Sequence, residues 1–364
     1  MTSPLSTKLY SLLLAMLDRL QGRNQVVLER MIRSLPEAFF NPHIQRYIRE
    51  IQVIRSAGAE SYHFLQELAP AFRSEMHFAR RHVYHLRDLS VKVRTSACLA
   101  GNFYLQESYG SLRRCLIDRP FPDFTGQKFT GGGTVTCVNH TTYYHFLLEE
   151  VPRLLWALEQ HRDLKVVVHN SAPDYIRDIL ALISKLLDFS CEVVFTDTDV
   201  LQIPSYVFTQ AEAYSGFVHG DDLLLLRKHL LKETTKRCHA DKKIYLTRRN
   251  ASRSFANEEQ VAELMMNKGY DVVIPETMDF SSQIALSQDA SVVVAPHGAG
   301  LANLLWCHPG TKIVEIFSPL YFNDCYARLS AQLKLPYRPL WAREGKGWGS
   351  VDLNKLAMTL DTLG

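Results

Sequence analysis

The stretch Val292-Val-Val-Ala-Pro-His-Gly-Ala-Gly-Leu-Ala-Asn303 indicates an α/β fold. Its β-branched residues predict a buried strand, its glycines predict a tight turn, and the apolar residues from Leu301 onward predict a helix. Main-chain N–H groups at such a helix start can bind a phosphate, since Gly298 and Gly300 carry no Cβ that would obstruct it. His297 could donate a hydrogen bond to the same anion. Glycines that serve only the steric needs of the turn are the alternative interpretation.

The same alternation of strands and helices extends on both sides of this stretch. The predicted strands are Lys165–His169, Glu192–Phe195, Tyr206–Thr209, Lys243–Thr247, Tyr270–Ile274, Ser291–Ala295 and Lys312–Ile316. The predicted helices between them are Asp174–Leu187, Asp222–Lys236, Asn257–Lys268 and Ser281–Gln288. This spacing predicts parallel sheets covered on both faces, arranged as two Rossmann-like domains facing a cleft. The polar stretch Thr234–Lys243 is interpreted as the linker between them.

The N-terminal part of the chain has a different pattern. Up to about Arg80 the apolar residues follow helical spacing, and from Val83 to Leu105 they alternate with polar residues as in short strands. Within the helical part, Leu9–Leu35 mixes apolar residues with arginines. A helix packed on the protein body is the favoured interpretation, and a basic amphipathic helix lying on a membrane surface is the other.

Composition excludes several classes of protein. A chain of 364 residues is long enough for two domains, and a formal net charge of +3 gives no support for nucleic acid as the main partner. The seven cysteines are scattered and form no CxxC pair, which argues against a zinc site or a disulfide framework and favours a reducing, cytoplasmic compartment. The apolar run Leu9–Leu17 is shorter than the roughly 20 residues of a transmembrane helix.

A loop rich in arginine follows the predicted strand Lys243–Thr247. Arg248 and Arg249 stand at the carboxyl end of the strand, where a ligand would lie in a parallel sheet, and Arg253 follows in the same loop. Guanidinium groups match phosphate oxygens by paired, charge-assisted hydrogen bonds. A solvated surface patch is the alternative for the arginines, and Asn257 is interpreted as the N-cap of the next helix.

The segment from Tyr143 to Leu158 predicts a helix with one apolar face. On regular helical spacing His145 and Glu149 share the other face, and a carboxylate beside an imidazole is a natural general base for a hydroxyl nucleophile. Pro152 predicts a kink that would orient this turn. A surface histidine paired with a carboxylate is an equally good interpretation. Glu150 with Arg153 is interpreted as a surface ion pair.

Three further carboxylates could take part in a site. Glu315 ends the predicted strand Lys312–Ile316 beside the glycine turn, where it could accept hydrogen bonds from a ribose or simply face solvent. Asp197 and Asp199 could hold a metal ion, but an ordinary polar loop is the favoured interpretation, and no metal site is predicted.

Three segments, in this order, resemble the family 61 glycosyltransferases, whose bacterial members are described as capsular polysaccharide biosynthesis proteins. They are Tyr143-Tyr-His-Phe-Leu-Leu-Glu-Glu-Val-Pro-Arg-Leu154; Tyr245-Leu-Thr-Arg248 with Arg253 and Asn257-Glu258; and Pro296-His-Gly-Ala-Gly-Leu301 with Asn303. Glu149 stands where many members of the family carry aspartate. The resemblance covers roughly Val83 to Leu335.

The resemblance implies a GT-B fold and an inverting transfer from a UDP-sugar to a glycan or lipid-linked glycan acceptor, with no metal or other cofactor. The predicted domains are a helical extension (1–80) with no counterpart in the family, an acceptor-side Rossmann-like domain (81–236), a nucleotide-sugar-binding Rossmann-like domain (237–335) and a segment returning to the N-terminal domain (336–364). Glu149 or His145 would be the base. The donor-binding residues would be Arg248, Arg253, His297, Gly298, Ala299, Gly300, Asn303 and Glu315.

Two other functions fit the same residues. Basic anion pockets also suit a transferase that moves a pyruvyl group onto a polysaccharide. A non-catalytic, sugar-nucleotide-binding subunit of a membrane-associated assembly complex is the non-enzymatic alternative, with the N-terminal helices as its contact surface.

Overall fold

A computed structural model describes residues 45–100, 103–105, 126–187, 191–211, 216–231, 241–249 and 251–363 of the chain. These residues form two compact units. The first unit takes its residues from Met1–Gly58, His77–Thr141 and Glu149–Ser215, and the second from Ala59–Met76, Thr142–Leu148 and Gly216–Gly364. The segments Leu9–Leu35 and 232–240, for which an amphipathic helix and most of a linker were predicted, lie outside the described residues.

The strands are β1 (Ile48–Arg55), β2 (Gly58–Ser61), β3 (Glu75–Phe78), β4 (Arg81–Lys92), β5 (Ala97–Ala100), β6 (Phe103–Tyr104), β7 (Gln127–Lys128), β8 (Val135–Cys137), β9 (Lys165–His169), β10 (Glu192–Thr196), β11 (Val200–Thr209), β12 (Lys242–Leu246), β13 (Asp271–Val273), β14 (Ala290–Pro296), β15 (Lys312–Phe317) and β16 (Tyr337–Trp341). The α-helices are α1 (Leu65–Leu68), α2 (Tyr143–His145), α3 (Val151–Gln160), α4 (Asp174–Leu186), α5 (Gly220–Leu230), α6 (Glu258–Asn267), α7 (Phe280–Asp289), α8 (Cys325–Gln332) and α9 (Leu353–Asp361). A π-helical turn spans Phe146–Glu150, and 3₁₀ helices span Pro275–Thr277 and Ala299–Trp306.

The first unit is built on a mixed sheet of nine strands. Its main path is β10-β9-β8-β11-β4-β5-β6, with β1 paired to β4 and β7 paired to β11. β8, β9 and β10 run parallel, as the buried Val166-Val-Val168 run predicts for a strand covered on both faces. β11 and β4 pair antiparallel over most of their length. The unit is therefore an α/β sheet with a large antiparallel extension, and not the purely parallel sheet expected.

The second unit contains a fully parallel sheet of five strands in the order β13-β12-β14-β15-β16. Counted along the chain this is the order 2-1-3-4-5, one of the two common doubly wound arrangements. The chain goes to one side of β12 for its second strand and to the other side for its third. The topological switch point, where such sheets bind ligands, therefore lies between the carboxyl ends of β12 and β14.

Two predictions of domain organisation are wrong. Residues 48–55, 58–61 and 75–78 are strands and not helix. The long strand β4 offers β1 an antiparallel partner from Ile48 to Arg55, and such pairing overrides a helical spacing of apolar residues. The segment 336–364 belongs to the second unit, since β16 pairs with β15 and Leu356 and Leu360 of α9 lie in that unit's apolar core.

None of the helices described is both long and apolar enough to cross a membrane.

A buried ionic cluster stabilises the second unit. Asp324, with no exposed surface, accepts hydrogen bonds from the main-chain N–H of Arg73 (2.6 Å), from the Arg73 guanidinium (2.8 Å) and from Arg328, which is 1% exposed. Burial by itself raises the pKa of Asp324, but the hydrogen bonds from Arg73 and the charge of Arg328 outweigh it, so this pKa lies below its usual value. The cluster ties the segment Ala59–Met76 to α8.

Replacing Asp324 by alanine is expected to lower the free energy of unfolding by about 3–5 kcal/mol, because the Arg328 charge would stay buried without its partner. Arg343→Ala is the control, since Arg343 is 74% exposed in its pair with Asp352 and such pairs contribute about 1 kcal/mol or less. Urea denaturation of both variants measures the difference. Equal, small losses would show that the cluster does not stabilise the unit.

Candidate functional site

Two loops of the second unit meet at the switch point between β12 and β14. Arg248 follows β12, and His297 follows β14 directly. Both side chains line one cavity of about 270 Å³. The residues that line it also include Arg253, Phe255, Tyr321 and Trp348. The structure thus brings together the arginines and the histidine for which the sequence predicted a shared anion site.

A buried carboxylate holds His297 in place. Glu315, with no exposed surface, accepts a hydrogen bond from Nδ1 of His297 at 2.5 Å and another from the hydroxyl of Tyr337. Since Nδ1 donates to the carboxylate, Nε2 is the ring nitrogen on the opposite edge that can meet a ligand. The prediction that Glu315 could accept hydrogen bonds from a ribose is wrong, because its carboxylate is enclosed; it orients the imidazole instead.

Burial and close packing also fix Arg248. Burial, together with the nearby charge of Arg253, lowers the pKa of Arg248, whose guanidinium donates to the main-chain oxygen of His297. A Cβ on Gly298 would lie 2.5 Å from Nη1 of Arg248, closer than any real contact. Gly298 therefore makes room for this guanidinium, and not directly for a ligand as expected. A Cβ on Gly300 would meet Pro275 at 3.4 Å and Leu246 at 4.0 Å, both ordinary contact distances.

A second buried carboxylate shapes the loop after β12. Glu258, 4% exposed, accepts hydrogen bonds from the hydroxyls of Tyr245 (2.8 Å) and Thr247 (2.5 Å) and from the main-chain N–H of Arg248 (3.2 Å). This carboxylate fixes the direction in which the chain leaves the strand. It therefore positions Arg248 at the cavity.

Two neighbours of Glu258 differ from their predicted roles. Asn257 does not cap α6 with its side chain, which instead donates to and accepts from the main chain of Val351 at 2.9 Å. Arg249 does not line the cavity; it is exposed and pairs with Glu259 at 2.7 Å. Of the adjacent arginines only Arg248 faces the site, since successive residues leave an extended chain on opposite sides.

Aromatic residues that sequence reasoning missed form the outer wall. The guanidinium of Arg253 lies 5.1 Å from the ring centres of both Tyr321 and Trp348, a cation–π arrangement that holds the charge in place. The ring of His297 lies 5.3 Å from that of Tyr321. Tyr321 comes shortly after the carboxyl end of β15, and this position at the binding edge of a parallel sheet was the available signal. Trp348 lies in a Gly-Trp-Gly segment with no such signal.

The helix after the glycine turn is a 3₁₀ helix (Ala299–Trp306) and not the α-helix expected from Leu301. All residues from Leu301 to Trp306 are buried, so packing sets its winding. Asn303 accepts a hydrogen bond from the Tyr143 hydroxyl (2.7 Å) and donates to Gln283 (2.7 Å). Asn303 is thus a buried link within the second unit. This makes it unsuited to the predicted role of contacting a sugar donor directly. Ala299 is exposed beside the cavity.

The predicted base residues lie on a continuous helical segment that contains a π turn. The π turn Phe146–Glu150 precedes Pro152, which cannot donate an N–H and falls in the first turn of α3. Because a π turn is wider than an α turn, the regular spacing assumed for His145 and Glu149 is not kept there. Both side chains are half-buried, with His145 in the second unit and Glu149 in the first. π turns are frequent at functional sites.

Asp199 is paired with Arg94 at 3.0 Å in the first unit. In the part of the chain that the structure describes, no group of three His, Cys, Asp or Glu side chains is placed to hold a metal ion.

Taken together, the second unit is a doubly wound α/β domain with a basic, aromatic-walled pocket at its switch point. This is the class of site in which α/β proteins hold phosphorylated ligands such as nucleotides.

Residues 143–314, a little under half of the chain, match the family model described as Glycosyltransferase 61. The matched region contains all three of the segments that carried the resemblance.

Individual relatives match over short segments. One is a beta-1,2-xylosyltransferase of Oryza sativa subsp. japonica, 38% identical over 63 residues that make up 17% of this chain and 12% of that protein. Another is an EGF domain-specific O-linked N-acetylglucosamine transferase of Drosophila melanogaster, 34% identical over 97 residues, 26% of this chain and 18% of that protein. A beta-1,2-xylosyltransferase of Arabidopsis thaliana is 28% identical over 87 residues, 24% of this chain and 16% of that protein. The chain thus matches less than a fifth of the length of each of these relatives.

Gly298→Ala is expected to weaken binding of inorganic pyrophosphate about 10- to 100-fold, because the new methyl group displaces the Arg248 guanidinium and a charge-assisted hydrogen bond is lost. Gly300→Ala is the matched control, since its Cβ reaches only ordinary contact with Pro275. Calorimetric titration of both variants measures the effect. Equal affinities in the two variants would show that Arg248 does not bind the anion.

Proposed function

We propose that the protein is an inverting glycosyltransferase of GT-B architecture that moves a sugar from a UDP-sugar to a hydroxyl group of a glycan acceptor, without a metal ion. The observation that carries this proposal is the cavity at the switch point of the second unit, where Arg248, Arg253 and His297 converge. The match of residues 143–314 to the glycosyltransferase 61 family model supports it independently.

The cavity is suited to a diphosphate. Arg248 and Arg253 bring two positive charges, and the Glu315 carboxylate beside His297 is already engaged on both oxygens. One N–H of Arg248 donates to the His297 carbonyl, which orients the other donors of the guanidinium fork.

The same groups would promote departure of the nucleotide. As the bond between the sugar and the diphosphate breaks, negative charge grows on the leaving phosphate. Fixed donors stabilise such charge because they need no reorganisation, and each is worth roughly a hundred- to a thousandfold in rate if oxyanion-hole values apply. Arg248, Arg253 and Nε2 of His297 would thus stabilise the charge on the leaving phosphate, as a divalent cation does in other glycosyltransferases.

Removal of the acceptor proton is assigned to the helical segment Tyr143–Gln160. Glu149 is the first candidate for the base and His145 the second, since both are half-buried and adjoin the π turn. A positioned base contributes about a hundred- to a ten-thousandfold in rate. Attack by the activated hydroxyl on the face opposite the leaving diphosphate inverts the anomeric carbon.

The sugar and its setting are proposed from the family. The matched relatives are named for transfer of xylose and of N-acetylglucosamine, so a pentose or an N-acetylhexosamine is the first choice of donor sugar. Capsular or extracellular polysaccharide synthesis at the cytoplasmic side of a membrane is the proposed setting, with a lipid-linked glycan among the possible acceptors.

UDP is expected to bind the full-length protein in the presence of EDTA, and Arg248→Ala or His297→Ala should weaken that binding about 10- to 100-fold, as for a lost charge-assisted hydrogen bond. Arg249→Ala is the matched control, because this neighbouring arginine is exposed and paired with Glu259. Isothermal titration calorimetry measures all four proteins.

Unchanged affinity in both cavity variants would refute the phosphate assignment. Binding that needs Mn²⁺ in place of EDTA would refute independence from metal. Binding of phosphoenolpyruvate in preference to UDP would favour a pyruvyl-type transferase.

Glu149→Gln is expected to lower the rate of sugar transfer about 100- to 10,000-fold while UDP affinity stays unchanged, because the amide cannot take a proton. Release of UDP from a panel of UDP-sugars, with and without acceptor, measures the rate. Full transfer by this variant would exclude Glu149 as the base, and the same assay on His145→Gln would then test the second candidate. A wild-type protein that binds UDP but neither hydrolyses nor transfers the sugar would be a non-catalytic subunit.

A further inference from the structure

The first unit has a cavity of its own, of about 290 Å³. It lies where β8 ends, at the position where parallel sheets bind ligands, and the last two residues of β11 contribute to it. The lining residues used below are Thr136, Glu150, Arg153, Leu154, Phe208 and Thr209. None of them belongs to the donor cavity.

A buried ion pair forms the polar wall of this cavity. Glu150 at the end of the π turn is 7% exposed, and its carboxylate accepts hydrogen bonds from Arg153 and, at 3.0 Å, from the main-chain N–H of Asn139. The sequence predicted a surface ion pair for Glu150 and Arg153; the pairing is correct, but the pair is enclosed, with 8% and 17% of the side chains exposed. A carboxylate has about four acceptor positions, and these bonds use two of them.

An unsatisfied hydroxyl lies beside the pair. Thr209 is 5% exposed, and its side-chain oxygen has no hydrogen-bond partner among the residues that the structure describes. Its main-chain oxygen accepts a hydrogen bond from Arg153 at 3.5 Å, so the residue is held next to the ion pair. A buried hydroxyl without a partner costs about 1–3 kcal/mol. A folded protein keeps such a group chiefly where a ligand or an ordered water completes the bond.

Charge decides the kind of ligand. Glu150 and Arg153 neutralise each other, so this cavity lacks the excess positive charge that a phosphate needs. Leu154 and Phe208 add apolar surface next to the carboxylate, the guanidinium and the hydroxyls of Thr136 and Thr209. A neutral ligand with several hydroxyl groups and an apolar face, such as one sugar ring, has the matching chemistry.

We propose that this cavity of the first unit binds one neutral sugar ring of the acceptor, with the Thr209 hydroxyl and the Glu150 carboxylate hydrogen-bonded to the sugar hydroxyls. The assignment of the sugar to the acceptor rests on the proposed glycosyltransferase function; the existence of the sugar site does not. Thr209 and Glu150 are binding residues in this proposal, and they take no part in proton transfer.

Saturation-transfer NMR on the full-length protein, saturated with UDP, tests the proposal with four probes: the methyl β-glycosides of xylose, glucose, galactose and N-acetylglucosamine. At least one glycoside should bind the wild type. Thr209→Val should weaken binding of that glycoside about three- to tenfold, as for one lost hydrogen bond. Thr209→Ser keeps the hydroxyl and should bind the glycoside with the affinity of the wild type. Thr198→Val is the control for a threonine of the same unit outside the cavity.

Thermal melting checks that the valine variant folds; since the hydroxyl has no described partner, its loss should not lower stability. The proposal is overturned if no glycoside binds the wild type, if UDP displaces the glycoside, or if Thr209→Val binds it as the wild type does, in which case the hydroxyl serves a water molecule. UDP signals in the same samples report on the donor cavity. A protein that binds UDP but no glycoside would lose only this inference, and one that binds a glycoside but no UDP would lose only the proposed function.

Discussion

Two buried carboxylates, Glu258 and Glu315, are the constraint on which the switch-point cavity of the second unit depends. Glu258 accepts hydrogen bonds from the hydroxyls of Tyr245 and Thr247 and from the main-chain N–H of Arg248. Glu315 accepts hydrogen bonds from His297 and Tyr337. Burying a carboxylate is costly unless donors surround it, so each of these groups enforces the position of the donors around it. The basic groups that face the cavity are fixed because the acidic groups behind them are enclosed.

Close packing adds a second constraint on the same site. The guanidinium of Arg248 occupies the space that a side chain at position 298 would take, and Arg253 lies over two aromatic rings. Both arginines are therefore held before any ligand arrives, which reduces the entropy lost on binding. The glycine of the Pro-His-Gly segment serves this arrangement of protein groups at least as much as it serves a ligand.

The cavities of the two units differ in electrostatic character. Among the described residues that line it, the cavity of the second unit has two arginines and no carboxylate, whereas that of the first unit has an arginine neutralised by Glu150. A transferase that joins a charged donor to a neutral acceptor needs this contrast, because each substrate is then excluded from the site of the other. The π turn ends at Glu150, whose carboxylate lies inside the protein, whereas the sequence predicted a surface ion pair with Arg153.

The sequence by itself determined the α/β class, the five-stranded part of the fold to within a few residues for its first four strands, and the grouping of Arg248, Arg253 and His297, because buried β-branched runs and strand-end positions are local signals. Only the tertiary structure decided the roles of Glu315, Asn303, Asn257 and Gly298, which the sequence had placed against a ligand or at a helix cap. Their partners, such as Tyr337, Tyr143, Val351 and Arg248, are distant along the chain or meet them only once the sheet has formed. The strand β1 and Trp348 were missed for the same reason: ladder pairing and ring contacts are made between segments, and no local spacing of residues records them. For Tyr321, its position just after the carboxyl end of β15 was a usable signal.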